Sequence, residues 1–110
     1  THDPATGKLL WRRDLLAELR GTPGFFGVGA TPLLDDGRLV VHAAAGDGSR
    51  ILALDPDTGK TLWSASTPWG AGYASPVPVA RHGRRFLLVF AGGESRPPTG
   101  GLLCLDPATG

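Results

Sequence analysis

The 110-residue chain has a single cysteine, Cys104, so no internal disulfide can staple it and its redox compartment is not legible. Neither sign of charge dominates. Lys and Arg total 11 against 10 Asp and Glu, a net charge of +1, which offers no basic field for nucleic acid or for an anionic membrane. Long apolar runs are missing too: none approaches the roughly 18 residues of a membrane-spanning helix. The start lacks the basic, apolar, cleavable pattern of a secretory leader. Asparagine is absent, and no spacing of His and Cys resembles a zinc site. What is abundant is punctuation, since 17 Gly and 10 Pro sit at regular intervals between short apolar runs, as turns do between strands.

One phrase of eleven residues recurs. It runs from Thr1 to Trp11, again from Ala53 to Trp63, and in truncated form from Cys104 to Gly110. Asp3 and Asp55 are 52 residues apart and Asp55 and Asp106 are 51 apart, a period that fits four short strands per unit, the blade of a β-propeller. Within the phrase, Asp55-Pro56-Asp57-Thr58-Gly59 supplies Pro for the first central turn position and Gly for a left-handed residue that closes a hairpin. Trp11 and Trp63 fall at one register. A large aromatic repeated at one position of every unit predicts packing between neighbouring units, because a single blade cannot bury its own faces.

In its fullest copy, Ala53-x-Asp55-x-x-Thr58-Gly59-x-x-x-Trp63, the phrase resembles the tryptophan-docking motif of pyrroloquinoline-quinone-type (PQQ-like) β-propeller repeats, and the resemblance covers essentially the whole chain. Carried over position by position, it gives structural roles to Asp3, Thr6, Gly7 and Trp11, to Ala53, Asp55, Thr58, Gly59 and Trp63, and to Asp106, Thr109 and Gly110. The expected fold is all-β: a propeller fragment of four-stranded antiparallel blades with one full blade, one partial blade and one orphan outer strand. Residues 1–15 would hold the outer strand of a preceding blade, with the strand itself at 8–15. Residues 16–66 would be a linker plus the complete blade, and residues 67–110 a linker plus a blade lacking its outer strand. The chain opens and closes inside the phrase, as a segment of a longer protein would, so further blades are its expected neighbours.

The strands follow from the spacing. The first blade is expected at 31–34, 39–44, 51–54 and 61–66, with a turn at Asp35-Asp36-Gly37 and a loop from Ala45 to Arg50. The second is expected at 75–79, 86–91 and 102–105, and the run Phe86 to Phe90 is apolar on both faces, as in a sheet sandwiched between two others. Trp11 to Pro32 spans 21 residues against 13 from Trp63 to Pro76, so the first linker carries an insertion of eight. The loop between the second and third strands is expected to be five residues longer in the second blade. In a meander these loops and the linkers share one face, which is where repeat arrays commonly build binding sites.

On that variable face stand the candidate contact residues: Trp69 and Tyr73 in the second linker, and Glu94 and Arg96 in the long loop. Trp69 has a second reading, as a plug between blades. Several apparent motifs dissolve on their context. Gly59-Lys60-Thr61 lacks the Gly a phosphate loop needs at position 54 and leads into a strand. Gly72-Tyr73-Ala74-Ser75-Pro76 has Pro where a nucleophile elbow needs Gly, so Ser75 is read as a strand-opening hydroxyl. Arg81 to Arg85 surrounds a hairpin tip, a solvated basic turn. His42 aligns with Leu88 and is read as a core or channel-edge imidazole. Cys104, replacing Ala53, is read as a small buried strand residue.

No catalytic, cofactor or metal residue is expected here. The leading functional expectation is a non-catalytic scaffold for protein or ligand binding, similar to the propeller lipoprotein of the outer-membrane barrel-assembly machinery, and the resemblance implies a periplasmic or cell-envelope location. The alternative is part of a PQQ-dependent alcohol or sugar dehydrogenase. Such enzymes hold quinone over a Trp floor beside Ca²⁺ bound by Glu, Asn and Asp, under a vicinal disulfide. This chain has neither Asn nor a Cys-Cys pair. A sensor or enzyme-attached propeller domain is the third class.

Overall fold

The same turn is built three times. In the computed structural model, which describes residues 1–93 and 99–110, the N–H of Gly59 donates to the Asp55 carbonyl at 2.8 Å, and Gly7 to Asp3 and Gly110 to Asp106 do the same at 2.8 Å. All three glycines hold positive φ (+70°, +74° and +92° for Gly7, Gly59 and Gly110), a conformation a Cβ would strain. The Asp55 carboxylate accepts from the N–H groups of Asp57 (3.0 Å) and Thr58 (2.8 Å) and from the Thr58 hydroxyl (3.0 Å). Those donors, the Thr58 N–H first, hold its pKa below the ordinary carboxylate value. Asp3 repeats the arrangement with Ala5 and Thr6.

Between the turns lie a short helix and seven strands: α1 (Leu15–Leu19), β1 (Leu33–Asp35), β2 (Arg38–Ala45), β3 (Gly48–Leu54), β4 (Thr61–Thr67), β5 (Val77–Arg81), β6 (Arg84–Gly92) and β7 (Gly100–Leu105). They form two antiparallel meanders in chain order, β1-β2-β3-β4 and β5-β6-β7, one whole blade and one of three strands. The hairpins β1–β2 and β5–β6 close on two-residue turns, Asp36-Gly37 and His82-Gly83, with both central residues at positive φ, the hand that matches strand twist. The expected loop from Ala45 to Arg50 is much tighter: β2 and β3 pair up to Ala45 opposite Gly48. A bulge between Ala53 and Leu54 pairs Ala53 with Trp63 and Leu54 with Thr61, leaving Leu62 as the extra residue.

The core lies between the blades. Val40, Ile51, Ala53 and Trp63 of the first meet Leu87 and Val89 of the second, with Leu103 and Leu105 packed on the edge. Arg85 of β6 pairs with Asp35 of β1 across the same interface, and the Thr31 N–H donates to the Ser75 hydroxyl at 2.8 Å. The opposite face of the second blade is open: Val77, Phe90 and Leu102 are 52%, 53% and 62% exposed. Cys104 lies on that face and is exposed, contrary to the buried position expected of it. Its counterpart Ala53 is covered by the second blade, and no described residue covers Cys104 in that way.

Three further expectations are corrected. Residues 8–15 do not form a regular strand. Only a bridge between His2 and Leu9 forms, and from Leu15 the chain is helical. The eight-residue insertion in the first linker contains α1, capped by the Asp14 carboxylate on the Ala17 N–H (3.1 Å) and ended by Arg20 in the left-handed region. Finally, the register of the second blade is shifted by two. Val40 pairs with Leu33 and Ala53, and Leu88 pairs with Val77 and Cys104. The counterpart of His42 is therefore Phe90, not Leu88. The β5–β6 hairpin is four residues longer than β1–β2, and the β6–β7 connection is three residues longer than its counterpart rather than five.

Candidate functional site

Two kinds of site emerge, a docking geometry that holds blades together and a cleft on the variable face. The indole N–H of Trp11 donates to the Pro56 carbonyl at 2.8 Å and that of Trp63 to the Pro107 carbonyl at 3.0 Å. Each ring lies flat against the turn glycine of the next repeat. A Cβ on Gly59 would stand 2.6 Å from Trp11 Cε3, and one on Gly110 would stand 2.8 Å from Trp63 Cε3. The phrase thus combines a glycine that admits the ring with a carbonyl that takes its proton. Arg13 strengthens the first copy by donating to the Gly59 carbonyl and the Thr61 hydroxyl, both at 2.9 Å, while pairing with Glu18.

At the variable face the two linkers and the β2–β3 turn converge as the meander topology requires. The Gly46 N–H donates to the Leu19 carbonyl at 3.0 Å, and the Gly92 N–H to the Gly70 carbonyl at 2.9 Å. Tyr73 ties the linkers together. Its hydroxyl accepts from the Phe26 N–H at 3.2 Å, its ring meets that of Phe26 edge-on at 5.8 Å, and Gly24 and Gly29 leave it no room to spare. Trp69 lies against Gly101 of β7, where an added Cβ would stand 2.7 Å from its ring. Glu94 and Arg96 lie outside the described residues.

Between the linkers is a cleft of about 260 Å³ whose walls include Gly24, Val28, His42, Ala44, Gly72 and Tyr73. No described residue lining it is charged. His42 is 2% exposed; its Nε2 shares a hydrogen bond of 2.9 Å with the Ser49 hydroxyl, and its Nδ1 has no partner. Burial holds the imidazole below the usual histidine pKa, so the ring is neutral near pH 7. On the outer side of this cleft Phe25 and Phe26 stack edge to face at 4.9 Å and are 83% and 79% exposed. The sequence reading located the insertion that carries them but did not single out the pair. Two adjacent Phe residues in a glycine-rich linker were the available signal.

Among the described residues no three His, Cys, Asp or Glu side chains gather into a metal-holding set. The indoles of Trp11 and Trp63 are committed to turn carbonyls and Trp69 to Gly101.

A family model described as outer membrane protein assembly factor BamB, built on the PQQ-type repeat, matches residues 1–110. The chain belongs to that family. Curated relatives include the glycerol dehydrogenase large subunit of Gluconobacter oxydans (strain 621H), 41% identical over 55 residues, which is 50% of this chain and 7% of that protein. The glycerol dehydrogenase large subunit of Gluconobacter thailandicus is 38% identical over 74 residues, 67% of this chain and 9% of the relative. The chain therefore spans only a small part of the relatives it matches. No solved structure gives a significant match. The BamB-like match and the two-sheet architecture agree on a β-propeller segment.

Proposed function

We propose that this segment is a non-catalytic propeller scaffold whose variable face contacts a protein partner. The observation that carries the reading is the pair Phe25 and Phe26, 83% and 79% exposed at the tip of an inserted linker and braced by Tyr73. Aromatic residues, Phe among them, are enriched at the cores of protein interfaces, and exposed apolar patches mark interaction sites. Tyr73 and Trp69 would border the contact, and Glu94 and Arg96 would flank it. The residues of the repeated phrase serve turn and interface, so no quinone is held by them. Residues 1–15, 16–66 and 67–110 serve as successive blade units, further blades of the same repeat complete the ring, and the protein works in the periplasm or cell envelope.

A dehydrogenase segment is the second reading, favoured by the names of the two Gluconobacter relatives; quinone with Ca²⁺ belongs to it alone. The experiment that separates the two uses the full-length protein. A photo-crosslinking residue at position 25 is expected to trap a discrete partner from the cell envelope, and Phe26→Ser is expected to abolish the adduct. Calorimetry with quinone and Ca²⁺ is expected to give no binding. Stoichiometric quinone binding that disappears in Trp69→Ala would replace the scaffold reading with the dehydrogenase one.

A further inference from the structure

The face opposite the linkers carries an inference of its own. Matched by register, Leu33 opposite Val40 in the first blade corresponds to Val77 opposite Leu88 in the second, and Asp35 opposite Arg38, where the first hairpin turns, corresponds to Val79 opposite Phe86. The second hairpin runs on for two more pairs, Ala80 with Arg85 and Arg81 with Arg84. Three of these four added residues are arginine, and all four are exposed. The first hairpin closes on opposite charges, Asp35 against Arg38, whereas the second closes on like charges, Arg81 against Arg84. Directly opposed like charges destabilise a ladder. An extension that served folding alone would not place them there. The stretch from Arg81 to Arg85, read from the sequence as a solvated basic turn, is thus an inserted length of ladder loaded with guanidinium groups.

Two of these arginines lack a counter-charge. Arg85 pairs with Asp35 of the first blade and Arg38 with Asp36, but among the described residues no carboxylate makes an ion pair with Arg81 or Arg84. Asp106, which shares a cleft with Arg84, directs its carboxylate to the Ala108 N–H at 2.7 Å. Residues directly opposed in an antiparallel ladder have Cβ atoms about 4.5 to 5.5 Å apart on one side of the sheet, so the two side chains start side by side. The Phe86 ring, 5.4 Å from the Arg84 guanidinium, steadies one of them. Paired planar forks of this kind match a carboxylate. We infer that Arg81 and Arg84 dock an acidic segment of a protein partner through its Asp or Glu side chains. Two free arginines are too few for a membrane surface, which is held by clusters of about four to eight basic residues, and a net charge of +1 gives nucleic acid no field. A following blade built like the first would end one step short of the pair, as Asp35, the last residue of that shorter ladder, reaches Arg85. This contact lies on the face opposite Phe25 and Phe26, so each reading can fail without the other.

The test uses the full-length protein and fluorescein-labelled hexa-glutamate, read by fluorescence anisotropy, with hexa-glutamine as the uncharged control. Hexa-glutamate is expected to bind saturably and more weakly as salt rises, and hexa-glutamine is expected not to bind. Arg81→Glu, which gives this pair the opposite charges that Asp35 and Arg38 have, is expected to weaken binding by about tenfold or more, as the loss of charge-assisted hydrogen bonds does. Its melting temperature is expected to hold or rise, because the like-charge pair is gone. Arg12→Glu, the same change of charge at an exposed position before α1, is expected to leave binding unchanged. The inference is overturned if hexa-glutamate does not bind, if hexa-glutamine binds equally well, if Arg81→Glu binds as before, or if Arg12→Glu weakens binding as much. It is overturned as well if Arg81→Glu lowers the melting temperature, which would put the acid inside the propeller. Tighter binding of phosphatidylserine vesicles or of a short DNA duplex than of the peptide would overturn it in favour of a membrane or a nucleic acid.

Discussion

Trp63→Ala is the sharpest test of how these blades hold together. Trp63 is 9% exposed and packs with Val40, Ile51, Ala53, Leu87 and Val89, and it donates to Pro107 across the interface at 3.0 Å. Truncating a buried large aromatic costs about 3 to 5 kcal/mol through lost transfer energy and the cavity left behind. That figure subsumes the hydrogen bond, which alone accounts for about 1 kcal/mol. Trp63→Phe, which keeps most of the ring contact and loses the N–H, should therefore cost about 1 to 2 kcal/mol. Gly110→Ala attacks the same contact from the other side, since its Cβ would stand 2.8 Å from the ring on a residue at φ +92°. Trp11→Ala should cost less than Trp63→Ala, because Trp11 is only half-buried. Urea unfolding of the full-length protein measures all four, read as a fall in midpoint at unchanged slope. A loss below about 1 kcal/mol for Trp63→Ala would make Trp63 a surface residue and refute the packing argument.

Gly59→Val should destabilise by more than Gly59→Ala, since φ is +74° and the added carbons meet the Trp11 ring; paired thermal melts check the order. His42→Phe removes the buried unpaired nitrogen but strips the buried Ser49 hydroxyl of its partner, so alone it should leave stability within about 1 kcal/mol of the wild type and should gain when Ser49→Ala is added. The same variant should also flatten the pH profile below 6.5, the reference histidine value. The folded pKa is depressed, so the unfolded chain binds the extra proton. Wild-type stability is thus fully present above that value and falls as pH drops toward the lowered folded pKa. The lowered pKa of Asp55 acts in a more acidic window: its contribution is present above 3.8 and is lost as pH falls through the folded value. Asp55→Asn should accordingly reduce the acid sensitivity of unfolding. Residues 1–110 expressed alone should self-associate through the open face of the second blade. Leu102→Ser should weaken that association in sedimentation velocity, and a monodisperse, cooperatively melting wild-type monomer would refute it.

What the sequence by itself determined was whatever is local and repeated. The Asp-Pro-x-Thr-Gly turn is built from contacts within five residues, so each copy folds the same way wherever it sits, and its period of 52 and 51 residues set the blade count. The convergence of linkers and inner loops on one face followed from meander topology. Register did not follow, because the run Phe86 to Phe90 is apolar on both faces and offers no alternation to pin its pairing; only the ladder of β6 with β5 and β7 placed Phe90 opposite Leu102 and so matched it to His42. Five residues are too few for α1 to show helical periodicity, and its formation rests on the Asp14 cap and on the Gly46–Leu19 bond to the β2–β3 turn. Burial was likewise a tertiary decision: Ala53 is covered by a neighbouring blade and Cys104, at the same register, is exposed. The cleft belongs wholly to that level, since Gly24, His42 and Gly72 meet there from segments far apart in the chain, and no local pattern encodes the space between them.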